Sequence, residues 1–302
     1  FILRQAYLVQ KPLAQKGPMI RHLPNFFEKK HGFRSLPVIA ETPFRDQWKH
    51  LRKHVARPKY TVALFAGCAV DFIYPEQAIA LLTLLERHRV QVEFPKDQTC
   101  CGLPALMAAE EETAQDVALQ NIRAVQPENY DYILTLCASC ASHLKHNGSK
   151  IFKKDSDWLG KLKEFSDKIF DFSSFMVNVL DVSSEEFKAT HKKVSYHAPC
   201  HLCRGLHVTT EPRKLIQLAG YTYVRSKDED VCCGFGGSYS IDFPEISSEI
   251  LKKKLDNVEN TTAELLVTDC PGCVLQLRGG MDKRRGKIQV KHIAELLAET
   301  KK

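Results

Sequence analysis

A set of three cysteine-containing segments occurs twice in the chain, and the first copy reads YTVALFAGC (residues 60–68), TCCG (99–102) and CASC (137–140). The second copy reads YHAPC (196–200), CCGFGG (232–237) and CPGC (270–273). Thirty-one residues separate the first cysteine from the CCG motif in both copies. Five cysteines that recur in nearly the same register indicate a duplicated unit, in which the sulfurs of each copy meet at one place.

Ten of the eleven cysteines fall into this pattern, and Cys203 is the one left over. The cysteine content of this 302-residue chain is below that of a disulfide scaffold, and adjacent cysteines cannot readily bridge each other. We therefore predict metal ligation in a reducing compartment rather than disulfides. The predicted metal ligands are Cys68, Cys100, Cys101, Cys137, Cys140, Cys200, Cys232, Cys233, Cys270 and Cys273.

Each cysteine motif follows a short apolar segment that is typical of a buried strand. The predicted strands are residues 61–66, 90–94, 132–136 and 169–171 in the first copy, and 194–197, 221–224, 265–268 and 288–290 in the second. Helical segments alternate with them, which predicts an α/β fold of two pseudo-symmetric Rossmann-like units with parallel sheets. Ligands bind at the carboxyl ends of such strands, so the cysteines of each unit are expected to converge at one edge of its sheet.

Three parts are predicted: a basic N-terminal arm (residues 1–58), a first cysteine-rich domain (59–182) and a second one (190–302). The arm is predicted to be helical over residues 1–15 and then extended, because four prolines follow. Phe44 and Trp48 are expected to anchor it on a neighbour. Residues 147–168 are interpreted as an insertion, and the lysines at positions 252–254 as a solvated helix face.

The arm carries twelve Lys or Arg residues against three acidic residues. Its basic residues are dispersed and no recognition motif accompanies them, so we predict a docking role and no nucleic-acid partner. No apolar run approaches the length of a membrane-spanning helix, and the chain does not begin with a signal peptide. We expect a cytoplasmic protein that meets a membrane only through partner subunits. Because the sequence begins with Phe1, we also expect a processed product or one part of a longer polypeptide.

Five thiolates per unit exceed the four that tetrahedral zinc or a cubane iron–sulfur cluster takes. Either one cysteine of each unit is not a ligand, or the metal centre is larger than the common kinds. Gly102 and Gly234 are predicted to let the backbone bend close to the metal. Gly234, Gly236 and Gly237 also offer backbone N–H groups, which tune the potential of a cluster when they point at its sulfurs.

Two histidines, His197 and His201, flank Cys200, and two interpretations of them stay open. They are either hydrogen-bonded structural residues or groups that support the ligands and deliver protons. The second centre is expected to be the more reactive one, because these histidines and a glycine-rich loop belong to it. Leu103 and Pro104 instead follow the first CCG motif and fill the corresponding space.

Residues 60–302 resemble the cysteine-rich domain shared by heterodisulfide reductase catalytic subunits, glycolate oxidase iron–sulfur subunits and lactate-utilisation proteins. The lactate-utilisation branch is most similar in GCAVDFIYPEQAIALLTLLERHRVQVEFPKDQTCCGLPA (67–105), YHAPCH (196–201), CCGFGGSYSIDFPEIS (232–247) and IQVKHIAELL (288–297). The arm segment LPVIAETPFRDQW (36–48) resembles the tail that follows the ferredoxin-like clusters in the partner subunit of that system.

This resemblance implies a noncubane [4Fe-4S] iron–sulfur cluster on each five-cysteine motif, as in heterodisulfide reductases. It implies an iron–sulfur electron-transfer subunit of a lactate or glycolate dehydrogenase complex. No flavin or nicotinamide fingerprint and no ferredoxin-type cysteine run occurs in the sequence. The implied partners are therefore a flavin-containing dehydrogenase subunit and a ferredoxin-like iron–sulfur subunit or domain.

Two alternatives remain at this point. The first is a heterodisulfide-reductase-like subunit that reduces a disulfide at a noncubane cluster, because both five-cysteine sets are intact. The second is a protein without redox activity, in which zinc occupies one or both units and only stabilises an assembly module.

Overall fold

The computed structural model describes Gln10 and residues 18–23, 25–152 and 157–302. Apart from Gln10, the helix predicted over residues 1–15 lies outside the described residues. The Gln10 side chain forms two hydrogen bonds of 2.9 Å with the backbone of Ile39. These bonds connect the beginning of the arm with its later part.

The arm contains regular structure that its prolines did not predict. Its elements are β1 (Met19–Ile20), α1 (Asn25–His31), β2 (Leu36–Pro37) and α2 (Phe44–Leu51), and β1 pairs with β2 in antiparallel orientation. The prediction of extended chain is wrong here. Pro43 lies just before the first turn of α2, where a missing N–H group breaks no helical hydrogen bond.

Each of the two cysteine-rich units contains four strands with helices between them. The first unit comprises β3 (Tyr60–Leu64), α3 (Gly67–Phe72), α4 (Pro75–Leu85), β4 (Val90–Glu93), α5 (Leu103–Met107), α6 (Glu111–Val125), β5 (Tyr132–Thr135), α7 (Ala138–His146), α8 (Leu159–Asp167), β6 (Ile169–Asp171) and α9 (Phe172–Ser174). The second unit comprises β7 (Lys193–Tyr196), α10 (Glu211–Leu218), β8 (Thr222–Tyr223), α11 (Tyr239–Asp242), α12 (Pro244–Glu259), β9 (Leu265–Thr268), α13 (Pro271–Lys283), β10 (Gln289–His292) and α14 (Ile293–Thr300). Short π-helical turns follow α9 (Phe175–Val179) and Cys200 (His201–Gly205).

Both sheets have four parallel strands in equivalent order, β4-β3-β5-β6 in the first unit and β8-β7-β9-β10 in the second. The registers correspond as well. Ala63 of β3 lies beside Ile133 of β5, and Ser195 of β7 lies beside Leu266 of β9. The predicted α/β class with two Rossmann-like units is confirmed.

The two units share their hydrophobic packing. Successive residues of a strand point to opposite faces of the sheet, so Leu64 enters one apolar cluster and Phe65 the other. Each cluster also contains residues of the second sheet, such as Tyr196 in the first and Leu266 in the second. Helix α14 packs on α4 of the first unit, and α10 packs on α9 and the turn that follows it. Each unit therefore covers part of the other.

One helical segment differs from the sequence-based expectation. The pattern of residues from Pro104 to Val125 predicts a single helix, but the segment is divided into α5 and α6, because Ala109 adopts a left-handed backbone conformation with φ of 59°.

The segment 147–168, interpreted from the sequence as an insertion, contains α8, whereas β10 directly follows α13 in the second unit. Leu162 and Phe165 of α8 lie three residues apart and are buried on one face.

The contact of α2 with the first unit yields a stability prediction. The Phe44 ring is fully buried and meets Phe94 edge-on, with ring centroids 5.2 Å apart. We expect Phe44→Ala to lower the free energy of unfolding by about 3 kcal/mol, because the substitution leaves a cavity in this aromatic cluster. Urea unfolding followed by circular dichroism measures the change. The control is Phe243→Ala at a half-exposed position, and an equal loss in both variants would contradict the importance of this contact.

Candidate metal centre

The predicted ligands lie where strands end and helices begin. Cys68 lies in the first turn of α3 after β3, and the two CCG motifs follow β4 and β8. Cys137 and Cys270 directly precede α7 and α13. Helix N-termini present free N–H groups, and the backbone N of Cys140 lies 3.5 Å from Cys137 Sγ. The local structure therefore places backbone N–H groups beside these sulfurs.

Contacts between thiols connect the sulfurs of each unit into a row. In the first unit the row is Cys68, Cys100, Cys101, Cys140 and Cys137. In the second unit it is Cys200, Cys232, Cys233, Cys273 and Cys270. The two rows meet, because the thiols of Cys137 and Cys270 are hydrogen-bonded to each other. The sequence predicted that five sulfurs converge in each unit, but not that the two sets touch.

The junction of the two sulfur rows is held by bonds between the units. The backbone N–H of Ala138 donates to the carbonyl oxygen of Asp269 at 3.2 Å. His292 Nε2 donates to the carbonyl oxygen of Leu136 at 2.8 Å, since its Nδ1 accepts from a backbone N–H and Nε2 must carry the proton. Ser139 Oγ lies 3.6 Å from Cys270 Sγ. None of these junction contacts was predicted, because each joins residues that are more than 130 positions apart.

Mutual contact separates the thiol pKa values within each row. Hydrogen bonds from Cys101 and then from Cys68 lower the pKa of Cys100 to about 2. The hydrogen bond to Cys100 in turn raises the pKa of Cys101 to about 12. In the second unit the pKa of Cys232 is about 2 and that of Cys233 about 12, for the corresponding reason. Packed thiols thus resist simultaneous ionisation, and a bound metal supplies the positive charge that deprotonates all of them.

The glycines of the CCG motifs have positive φ angles, as the predicted sharp bend of the backbone requires. Gly102 and Gly234 have φ of 93° and 85°, and a Cβ on Gly234 would lie 2.8 Å from a backbone oxygen of α12. The Gly234 N–H donates to Cys232 Sγ at 3.3 Å. Gly236 and Gly237 lie on an exposed turn, and within the described residues neither donates a hydrogen bond to a sulfur. Two further backbone N–H groups donate to the row, that of Phe235 to Cys233 and that of Cys273 to Cys270.

The two histidines beside Cys200 have different environments. His201 is partly exposed, and its Nδ1 lies 3.1 Å from Ser139 Oγ and 3.8 Å from Cys200 Sγ. His197 is 1% exposed, and burial, followed by the charge of Lys254, lowers its pKa to about 3. Its imidazole is therefore neutral at physiological pH. Of the two, His201 is the one whose position suits proton transfer.

Two buried cations adjoin the second row, and the sequence did not predict them. Lys254 is 2% exposed, and its Nζ donates to the carbonyl oxygens of Asp228 and Glu229. Arg34, from the arm, is 7% exposed and donates to Gln276 and Ser240. Neither forms an ion pair with any residue that the structure describes. Both interact electrostatically with the Cys233 thiol, so they offset negative charge at this centre.

The interpretation of residues 252–254 as a solvated face is wrong for Lys254. This residue lies three positions after Leu251 and four before Val258, so it shares the buried face of α12 with them. Its counterpart in the first unit is Asn121 of α6, whose amide also binds the backbone beside a CCG motif, at Cys100. A comparison of the two copies is therefore the signal that would have singled out Lys254.

Comparison with known proteins agrees with this arrangement. A family model for a cysteine-rich domain, CCG, matches residues 62–145 and 194–278. The chain belongs to this CCG family. Each of the two CCG matches contains all five cysteines of one sulfur row. The resemblance that the sequence motifs indicated is confirmed.

This CCG protein is similar to "Lactate utilization protein A 2" of Bacillus cereus (strain Q1), with 35% identity over 79% of this chain and 98% of the relative. It is similar to the same extent to "Lactate utilization protein A" of Shouchella clausii (strain KSM-K16), with 35% identity over 78% of this chain and 98% of the relative. A Picrophilus torridus aspartate racemase structure covers 79% of this chain and 90% of its own at 14% identity, but its TM-score of 0.34 supports no conclusion. Among the described residues of the CCG protein, no helix has the length and apolarity to cross a membrane.

The donor set of the CCG protein fits an iron–sulfur centre. Sulfur is the ligand that iron–sulfur clusters use, and each unit offers five sulfurs in mutual contact, three of them buried. Backbone N–H groups at Gly234 and Phe235 and the cations Arg34 and Lys254 stabilise negative charge on the second row. The clustered cysteines therefore indicate iron–sulfur binding.

Lys254 provides a prediction about redox potential. We expect Lys254→Met to lower the reduction potential of the second centre, because the reduced form carries more negative charge and loses a stabilising cation. EPR-monitored redox titration under anaerobic conditions measures this potential. Lys253→Met is the matched control, since Lys253 is exposed and paired with Asp228. An equal shift in both variants would show that the buried position has no special effect.

Proposed function

We propose that this chain is the iron–sulfur electron-transfer subunit of a complex that oxidises a 2-hydroxy acid, with lactate or glycolate as the substrate class. The observation that carries the proposal is the continuous contact of ten sulfurs from Cys68 to Cys200 through the junction of Cys137 with Cys270. The curated relatives are named for lactate utilisation, which supports the substrate class.

We propose one noncubane [4Fe-4S] cluster on each five-cysteine set. Bound iron–sulfur clusters supply one-electron transfer at a potential that their surroundings adjust. Residues of this chain surround the proposed clusters and adjust that potential. Gly234 donates an N–H group to a sulfur, and Arg34 and Lys254 offset the negative charge. His201 Nδ1 and Ser139 Oγ lie 3.1 Å apart beside the junction and share one hydrogen bond.

The proposal requires partners. Because the sequence has no flavin fingerprint, electrons come from a separate flavin-containing dehydrogenase subunit. A ferredoxin-like iron–sulfur subunit or domain completes the electron-transfer route. The cytoplasm is the proposed compartment, since thiols and thiolate ligands persist under reducing conditions. The arm contacts both units, through Arg21 with Asp282 and through Phe44 with Phe94.

The proposal is tested by isolating the chain with its partners without oxygen. We expect iron and sulfide in the protein, co-purification with a flavoprotein, and loss of visible absorbance when lactate or glycolate is added. Failure of every hydroxy acid to reduce the assembled complex would exclude the proposed role. Colourless protein with about one zinc per unit and no iron would favour the structural-zinc alternative.

A disulfide reductase is the second candidate, and it is supported by the five intact cysteines of each unit, which match the motif of heterodisulfide reductases. Under this alternative a disulfide would oxidise the reduced protein, and a thiol-bound paramagnetic state would be visible by EPR. A spectrum that no disulfide changes would exclude this candidate and leave the electron-transfer role.

We expect the two centres to differ in function. Cys232→Ala should abolish acceptor reduction more completely than Cys100→Ala, because His201 and two buried cations adjoin the second centre. Cys100→Ala should mainly lower the iron content. Acceptor reduction by the assembled complex and iron per chain are measured together.

The control for these variants is Cys203→Ala, since among the described residues the Cys203 thiol donates only to the carbonyl oxygen of Cys200, at 3.9 Å, and has no hydrogen-bond partner within the two sulfur rows. Equal and total loss of acceptor reduction in Cys232→Ala and Cys100→Ala, with iron retained in the unaltered unit, would contradict a functional difference. Cys68 of the first unit is exposed, so solvent access alone does not distinguish the second centre from the first.

A further inference from the structure

His197 is a buried polar residue whose side chain has no hydrogen-bond partner within the described residues. It is 1% exposed, and both ring nitrogens are shielded from solvent and unbonded. Buried polar atoms are almost always bonded to protein or water, and leaving one without a partner costs about 1 to 3 kcal/mol. A ring with two such atoms therefore indicates a missing ligand.

The surrounding backbone does not provide the missing bond. The Glu229 carbonyl is the backbone group that interacts with the ring, but its hydrogen bonds of normal geometry come from the Ala198 N–H at 3.2 Å and from Lys254 Nζ at 3.3 Å. The backbone N–H of His197 donates to the Val267 carbonyl at 2.8 Å, which fixes the residue at the end of β7. The ring is held in place while its nitrogens remain available.

The nearest suitable atoms are two sulfurs of the second row. A ring nitrogen of His197, Cys233 Sγ and Cys273 Sγ all lie within 4.8 Å of one another. Donors that share one metal ion are separated by roughly 3.5 to 4 Å, given metal–nitrogen bonds near 2.0 Å and metal–sulfur bonds near 2.3 Å. A small inward movement of these side chains would bring the ring nitrogen within bonding distance of a metal held by these sulfurs.

The first unit lacks this nitrogen. The residue equivalent to His197 is Phe65. Ala63 and Ser195 occupy equivalent strand positions, and Phe65 and His197 each lie two residues further on. Phe65 is fully buried. His143 lies near the first row, but its Nδ1 is 3.4 Å from Asn147 Nδ2 and no pair of sulfurs encloses it in the way that His197 is enclosed. The chain thus contains an internal comparison between a centre with an available imidazole and one without.

We propose that a ring nitrogen of His197 binds iron in the second centre, beside the sulfurs of Cys233 and Cys273. This inference rests on the iron–sulfur cofactor of the proposed function. The imidazole adds a neutral ligand to the five sulfurs of the second row. The first centre has sulfur ligands only.

Pulsed EPR of the complete chain with its clusters tests the proposal. The protein is prepared without oxygen, with natural histidine and with histidine labelled by ¹⁵N. We expect a strong hyperfine coupling from a metal-bound imidazole nitrogen that changes with the label. His197→Phe, which introduces the residue of the first unit, should remove this coupling, whereas His191→Ala at an exposed position should keep it.

His197→Cys distinguishes ligation from a general loss of structure. A thiolate at this position can still bind iron, so we expect iron per chain near that of the unaltered protein but no imidazole coupling. His197→Phe should lower iron per chain at the second centre. Full iron in the unaltered protein without an imidazole coupling, or a coupling that persists in His197→Phe, would overturn the proposal. Absence of iron from the unaltered protein would instead overturn the proposed function on which it rests.

Discussion

Contact between the Cys137 and Cys270 sulfurs requires the first turns of α7 and α13 to approach each other directly, although they belong to different sheets. The backbone bond from Ala138 to Asp269 fixes that approach without any intervening side chain. Asp269 itself is buried, and desolvation raises the pKa of its carboxyl to about 7. Its two oxygens accept from Ser173 and from Tyr196, so side chains of both units satisfy this buried group.

The apolar packing that the two units share follows from the same close approach of α7 to α13. Two sheets whose carboxyl edges meet must also bring their helical layers together, and α14 on α4 with α10 on α9 are the resulting contacts. Because both apolar clusters run through the two units, a substitution deep in one unit alters the support of the other. The two sulfur rows therefore rest on one continuous apolar framework.

Much of this arrangement was accessible from the sequence. Strand periodicity and the position of cysteines after strands predicted the sheets, the parallel order and the convergence of five sulfurs in each unit. The contact of Cys137 with Cys270 was not accessible, because the orientation of two units depends on side-chain packing over long distances. Lys254 was misinterpreted because three consecutive lysines resemble a solvated face, whereas only the helical phase of Leu251 and Val258 reveals its burial. Helix α2 was missed because Pro43 was taken as a breaker rather than as a start.

The arm has no counterpart in the duplication. Arg34 enters the second unit beside Phe235, while Phe44 enters the first beside Phe94. A pair of identical single units would possess two equal sulfur rows. By placing the Arg34 guanidinium beside the second row, the arm breaks this symmetry: the two halves share an ancestor but not their surroundings.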